Sequence, residues 1–160
     1  GKIIVSGLAR DLKRLDIAKT FGADAVIDVE KDDLIETVYG LTDGQGTDAV
    51  LDLAGGPNTL VDGIGCVKKA GTVGFASGGT LNNFPANQMT AKRVTLKAVR
   101  GHSYQAVETA IDLISSGNYP VDLMATHQFG LDEVDLGVRS IGGEGAADAI
   151  HVSIIPSREA

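Results

Sequence analysis

The stretch GKIIVSGLARDLKRLDIAKTFGAD (residues 1–24) carries the reading on which the fold turns. Ile3-Ile4-Val5 is a short apolar run suited to a buried strand. Leu12, Leu15, Ala18 and Phe21 then recur on one face at helical spacing, which predicts a helix over residues 12–21. Asp11 stands where it can cap that helix, and Gly22 where it can stop it. A strand that ends in small residues and runs into a helix is the building unit of a wound α/β domain.

The alternation continues along the chain. Ala25 to Asp28 predict a second strand, and Asp32 and Asp33 favour a helix start through the dipole. Leu34, Ile35, Val38 and Leu41 supply that helix with an apolar stripe. A turn, TDGQGTD, leads into a third strand at Ala49 to Leu53, apolar on both faces as in a parallel sheet covered by helices. Pro57 suits the first turn of the next helix, with Leu60, Ile64 and Val67 inside and Lys68, Lys69, Ala70 and Gly71 closing it. Thr72 to Ala76 and Val94 to Val99 are the fourth and fifth strands, separated by a polar stretch without clear periodicity. Ser103 is placed to cap a helix that buries Val107, Ala110, Ile111 and Ile114 and stops at Gly117. The remainder reads strand, loop, helix, Gly-rich loop, strand. The expected fold is a Rossmann-like, doubly wound parallel α/β sheet.

Bulk properties narrow the function. The chain has 160 residues, enough for one domain with a full core, and a net charge of −7. An acidic chain argues against nucleic-acid and anionic-membrane partners. No apolar run approaches the ~18 residues of a membrane span, and no leader is visible, so a cytoplasmic protein is expected. The single cysteine, Cys66, forbids an internal disulfide and reads as a packing residue.

Several motifs resemble one family. Arg14-Leu15 followed by Ala18-Lys19-Thr20-Phe21-Gly22-Ala23-Asp24 is similar to a stretch of the medium-chain dehydrogenases, the zinc-type alcohol and polyol enzymes. The likeness continues through GQGTDAVLDLAGG, VTLKAVRG, SSGNYP and THQFGLDEVDLG to HVSIIP. It implies a coenzyme domain with strand order 3-2-1-4-5-6, but the family's first strand, Gly-rich phosphate turn and first helix have no counterpart here. Residues 1–160 are therefore expected to be a partial NAD(P)-binding Rossmann domain, a fragment inactive alone, without the catalytic domain that holds any zinc. The sheet is expected to break between the family's second and fourth strands.

The resemblance also implies site residues. The family's second strand ends at the adenosine ribose; here it ends Ser6-Gly7-Leu8-Ala9-Arg10, with no acid at its tip. Gly7, Arg10 and Arg14 thus become coenzyme-binding candidates, and small residues with Arg favour NADP over NAD, although Asp11 can take the place of the missing carboxylate. Arg10 and Lys13 read equally as a solvated helix start. Leu53-Ala54-Gly55 and Ala76-Ser77-Gly78 end strands where the ligand crevice of such a sheet lies, and Val99-Arg100-Gly101 match the family's contacts to the nicotinamide carboxamide. His151 occupies a position near the pyrophosphate, while His127 reads as structural and His102 lies near the cleft by position alone. Asp52, a charge within an apolar strand, reads as a structural hydrogen-bond acceptor.

The function implied is hydride transfer between a nicotinamide coenzyme and a small alcohol or carbonyl, zinc-assisted in the full enzyme. Alternatives are a zinc-free quinone or enoyl reductase of the same superfamily and a non-catalytic Rossmann-like assembly module. A methyltransferase would need an acid ending the second strand. The family's subunit interface near Leu81 to Lys92 implies a homodimer or homotetramer, with Phe84, Pro85 and Met89 as contacts.

Overall fold

A computed structural model of the chain describes residues 1–76 and 83–157. Strands and helices alternate, and every described ladder is parallel. The chain divides into two units: Gly1–Asp28 with the segment from Tyr104 onward, and Val29–Ser103.

In the first unit, β1 (Ile4–Gly7) pairs with β2 (Ala25–Asp28), with α1 (Leu12–Thr20) between them in sequence. A 3-10 turn at Ala9–Asp11 precedes α1. Gly22 (φ +99°) stops α1 as expected, and the Ala23 N–H reaches back to the Ala18 carbonyl at 3.0 Å. Asp11 does not cap α1 with its side chain. Its Oδ2 accepts from the Leu8 N–H at 3.3 Å, and its Oδ1 accepts from Arg14 at 3.0 Å, because the 3-10 turn folds the carboxylate back onto the loop. Along the predicted helical stripe only Leu15 is buried; Leu12 is exposed.

After α5 (Tyr104–Ser115), β6 (Ala125–Phe129) pairs with β7 (His151–Ile154), and α6 (Val134–Ile141) packs against both. Gly137 makes that approach possible: a Cβ there would stand 2.9 Å from Ile154 Cδ1 and 3.2 Å from Phe129. His127 stacks on Phe129 with ring centroids 6.1 Å apart, in keeping with a structural role. The expected burial of Val107, Ala110, Ile111 and Ile114 is not met, since no residue of α5 is buried and Ile111 is 57% exposed. Periodicity reports that a helix has an apolar face, not that the same chain covers it.

The second unit holds α2 (Leu34–Leu41), β3 (Thr47–Asp52), α3 (Thr59–Cys66), β4 (Val67–Phe75), α4 (Ala86–Lys92) and β5 (Thr95–Ala98), with sheet order β3-β4-β5. The Asp33 carboxylate accepts from the Glu36 N–H at 2.8 Å and so caps α2. The core is Leu60, Ile64, Val67 and Val73, with Val50, Phe75, Met89, Val94 and Leu96 packed around it. Met89 packs against this core, while Phe84 is 44% exposed.

Two expectations are corrected in this unit. Lys68 to Gly71 do not close α3: the helix ends at Cys66, Val67 is already extended, and these residues form a bulge in β4. Register shows it, since Thr47 pairs with Val67 while Ala49 pairs with Thr72. The last-turn carbonyls are instead held by Lys92, whose Nζ donates to Ile64, Gly65 and Val67 at 3.1, 2.6 and 2.9 Å. Nor is β3 covered on both faces, for Leu51 is 62% exposed.

Among the described residues the ladders are β1-β2, β3-β4-β5 and β6-β7.

Candidate functional site

The carboxyl ends of β3, β4 and β5 lie side by side. The Ala76 N–H donates to the Asp52 carbonyl at 3.0 Å, and the Val99 N–H donates to the Phe75 carbonyl at 2.9 Å. These two bonds extend the ladder one step past the strands, so Leu53-Ala54-Gly55, Ala76 and Val99-Arg100-Gly101 leave the sheet along one edge. Leu53, Ala54, Ala76, Arg100 and Gly101 are exposed, and Gly55 and Val99 are half-buried. Gly55 (φ +62°) and Gly101 (φ +72°) turn the chain in left-handed conformations that favour glycine. Three of the sequence-derived stretches are thereby brought together. Ser77 and Gly78 lie outside the described residues.

Asp52 organises the first of these loops. It is 6% exposed, and both carboxylate oxygens are engaged. Oδ1 accepts from the Ala54 and Gly55 N–H groups at 3.0 and 3.2 Å; Oδ2 accepts from the Thr59 hydroxyl at 2.9 Å. The Gly56 carbonyl, 3.1 Å from the same hydroxyl, competes for its proton. The acceptor role expected for Asp52 is therefore met, and these bonds offset the cost of burying the charge. Thr59, at the first turn of α3, escaped the sequence reading. Its signal was an acid ending an apolar strand, then a glycine loop, then a hydroxyl opening a helix.

On the other unit, Gly7 ends β1 opposite Asp28. A Cβ on Gly7 would sit 3.3 Å from Leu15 Cδ2, so its smallness lets α1 approach the strand. Arg10 is exposed in the middle of the 3-10 turn. Arg14 is more constrained: one guanidinium nitrogen donates to Asp11 at 3.0 Å, the other to the Ala149 carbonyl at 2.6 Å. Beside it, Lys13 and Asp148 form an exposed ion pair at 3.8 Å. His151 opens β7 opposite Ala125 with an exposed side chain, and its carbonyl accepts from the Thr126 hydroxyl at 3.3 Å.

Titration marks other positions. Burial pushes the Cys66 thiol up to about 11, with the Asp62 charge adding and Lys92 opposing. Burial also raises the Asp62 carboxyl, helped by Asp33. The hydrogen bond and charge of Lys68 hold Asp48 below the usual carboxylate range. Among the described residues no group of three His, Cys, Asp or Glu side chains is placed to hold a metal ion. No helix among them is long and apolar enough to cross a membrane.

Comparison with known proteins gives a consistent relationship. The family described as zinc-binding dehydrogenase matches residues 2–116. The chain is 31% identical over 160 residues to sorbitol dehydrogenase of Halalkalibacterium halodurans, covering 98% of this chain and 45% of that protein. It is 32% identical over 127 residues to L-threonine 3-dehydrogenase of Pyrococcus horikoshii, covering 76% of this chain and 36% of the other. Among solved structures, 2R,3R-butanediol dehydrogenase from Bacillus subtilis superposes with a TM-score of 0.83 at 21% identity, over 98% of this chain and 44% of that one. The chain thus spans less than half the length of these relatives.

Proposed function

The chain belongs to the zinc-binding dehydrogenase family, and on that footing we propose that it binds the nicotinamide coenzyme of an oxidoreductase interconverting a small alcohol and a carbonyl. The observation that carries this reading is the hydrogen-bonded carboxyl edge of β3, β4 and β5. It presents small, exposed residues on a loop that a buried carboxylate holds in place. In a wound parallel sheet this edge is where ligands bind, and short side chains let a flat ring approach the backbone. The residues present therefore fit a nicotinamide coenzyme, which when bound accepts or donates hydride at C4 of its ring. Leu53, Ala54 and Gly55 border the ring on one side, Val99, Arg100 and Gly101 on the other, and Ala76 leaves room between.

At β1, Gly7, Arg10 and Arg14 form the adenosine-side set. The Asp11 carboxylate is engaged by the Leu8 N–H and Arg14, while Arg10 is exposed. That arrangement supports NADP over NAD, because a free carboxylate is what repels a 2′-phosphate. His151 adds a titratable group to the pyrophosphate side. The described residues do not fit a resident zinc ion. Assembly as a homodimer or homotetramer in the cytoplasm completes the reading.

The test is a fluorescence titration of NADH and NADPH against the protein produced from its complete reading frame. Saturable binding is expected, tighter for NADPH. A folded protein that binds neither nucleotide sinks the reading, and tighter NADH binding sinks the NADP assignment.

A further inference from the structure

The Asp52 carboxylate engages two loop amides and the side chain of Thr59, the first residue of α3. Asn58 is the N-cap of α3, and the bonds Asp52 makes run to the amides of Ala54 and Gly55 and to the Thr59 side chain. The geometry has a directional consequence. A trans peptide is planar, with its N–H and C=O pointing opposite ways. The plane that turns the Ala54 N–H toward Asp52 therefore turns the Leu53 carbonyl away from it. The plane that turns the Gly55 N–H inward does the same to the Ala54 carbonyl. Both oxygens belong to exposed residues on the candidate coenzyme edge.

Resting on the coenzyme-binding reading above, we propose that Asp52, held by Thr59, is a positioning residue for the nicotinamide half of the coenzyme. It fixes two peptide planes so that the Leu53 and Ala54 carbonyls stand ready to accept hydrogen bonds from the ligand. Thr59 completes the device by pinning the second carboxylate oxygen, which stops the carboxylate from rotating away from the two amides. Organising the loop before binding removes an ordering cost from the binding step. Asp52 itself touches neither the ring nor the reacting atoms.

The test compares Asp52→Ala, Asp52→Asn and Thr59→Val in the protein from its complete reading frame. The first readout needs no ligand: amide hydrogen exchange at Ala54 and Gly55. Exchange is expected to quicken roughly tenfold in Asp52→Ala and Thr59→Val, the equivalent of about 1.4 kcal/mol of lost protection. The second is affinity for the tighter-bound of NADH and NADPH, set against ADP-ribose or its 2′-phosphate, which lack the nicotinamide. The reduced coenzyme is expected to weaken roughly tenfold while the ring-less probe does not change. Asp52→Asn keeps an acceptor for the amides and offers its NH₂ to the Thr59 hydroxyl, so it is expected to restore most of both readouts. Equal weakening of both probes, or unchanged affinity in all variants, overturns the positioning role while leaving the oxidoreductase reading intact. A wild-type protein that binds neither nucleotide defeats both. Should Asp52→Ala not fold, Thr59→Val, which keeps the side-chain shape, and Asp52→Asn carry the decision.

Discussion

Loss of the Lys92 ammonium should destabilise this fold markedly. It comes from the last turn of α4, is half-buried, and its ammonium has three donors. All three are used, on the carbonyls of Ile64, Gly65 and Val67 at 3.1, 2.6 and 2.9 Å, and the Tyr39 ring lies 5.6 Å away. Two of these carbonyls lie in the last turn of α3 and the third, of Val67, just past it, where the helix dipole is negative and the intrahelical partners run out. Lys92→Met keeps most of the apolar stem and removes every donor. A hydrogen bond to a charged group contributes about 1.5–3 kcal/mol net, but three from one ammonium are not additive. The expected loss is therefore about 2–4 kcal/mol, a large share of the ~5–15 kcal/mol that holds a domain together. Urea unfolding followed by circular dichroism measures it, with the midpoint falling and the slope unchanged. A loss below about 0.5 kcal/mol would refute the view that Lys92 terminates α3.

Three further outcomes are expected. Gly46 (φ +86°) has the Cys66 carbonyl 2.6 Å from where a Cβ would stand, whereas Gly44 (φ +75°) has open space. Gly46→Ala should cost more than about 2 kcal/mol and Gly44→Ala only about 1 kcal/mol, and equal costs by thermal unfolding would contradict the packing. The Cys66 thiol, raised from 9.0 to about 11, favours the folded state in its neutral form. Its contribution is complete below about pH 9 and disappears as pH climbs through about 11, so Cys66→Ala should flatten the alkaline limb of a stability–pH profile. Asp62 is also raised above its ordinary 3.8, so the folded state holds its proton more tightly and its charge opposes folding at neutral pH. Asp62→Asn should then raise the urea midpoint at pH 7 and leave it unchanged below about pH 3, a pattern that a stabilising Asp62 charge would reverse.

Local chemistry sufficed for much of this chain. Apolar runs at β1, β2 and β5, the acidic helix start at Asp32 and Asp33 and the Gly22 and Gly117 stops are written in neighbouring residues, because strand pleat, helix period and left-handed turns act over a few positions. The strand-end stretches Leu53-Ala54-Gly55 and Val99-Arg100-Gly101 were legible for the same reason. A small residue after an apolar strand marks the edge of a sheet wherever that sheet lies.

What the sequence could not convey depends on residues far apart in the chain. The end of α3 was misplaced into Lys68 to Gly71 because its terminator, Lys92, lies more than twenty residues downstream and has no local signature. The apolar stripe of α5 was read as buried, although burial is a property of what packs against a face and not of the face itself. The bond from Arg14 to the Ala149 carbonyl spans most of the chain and has no signature in the residues around either partner. At the site, the sequence by itself determined that an acid lies within the apolar run of β3 and that a glycine pair follows it. Only the tertiary structure decided that this acid turns inward, engages the loop amides and Thr59, and so sets which way the loop carbonyls face, because hydrogen-bond direction exists only once the chain is folded.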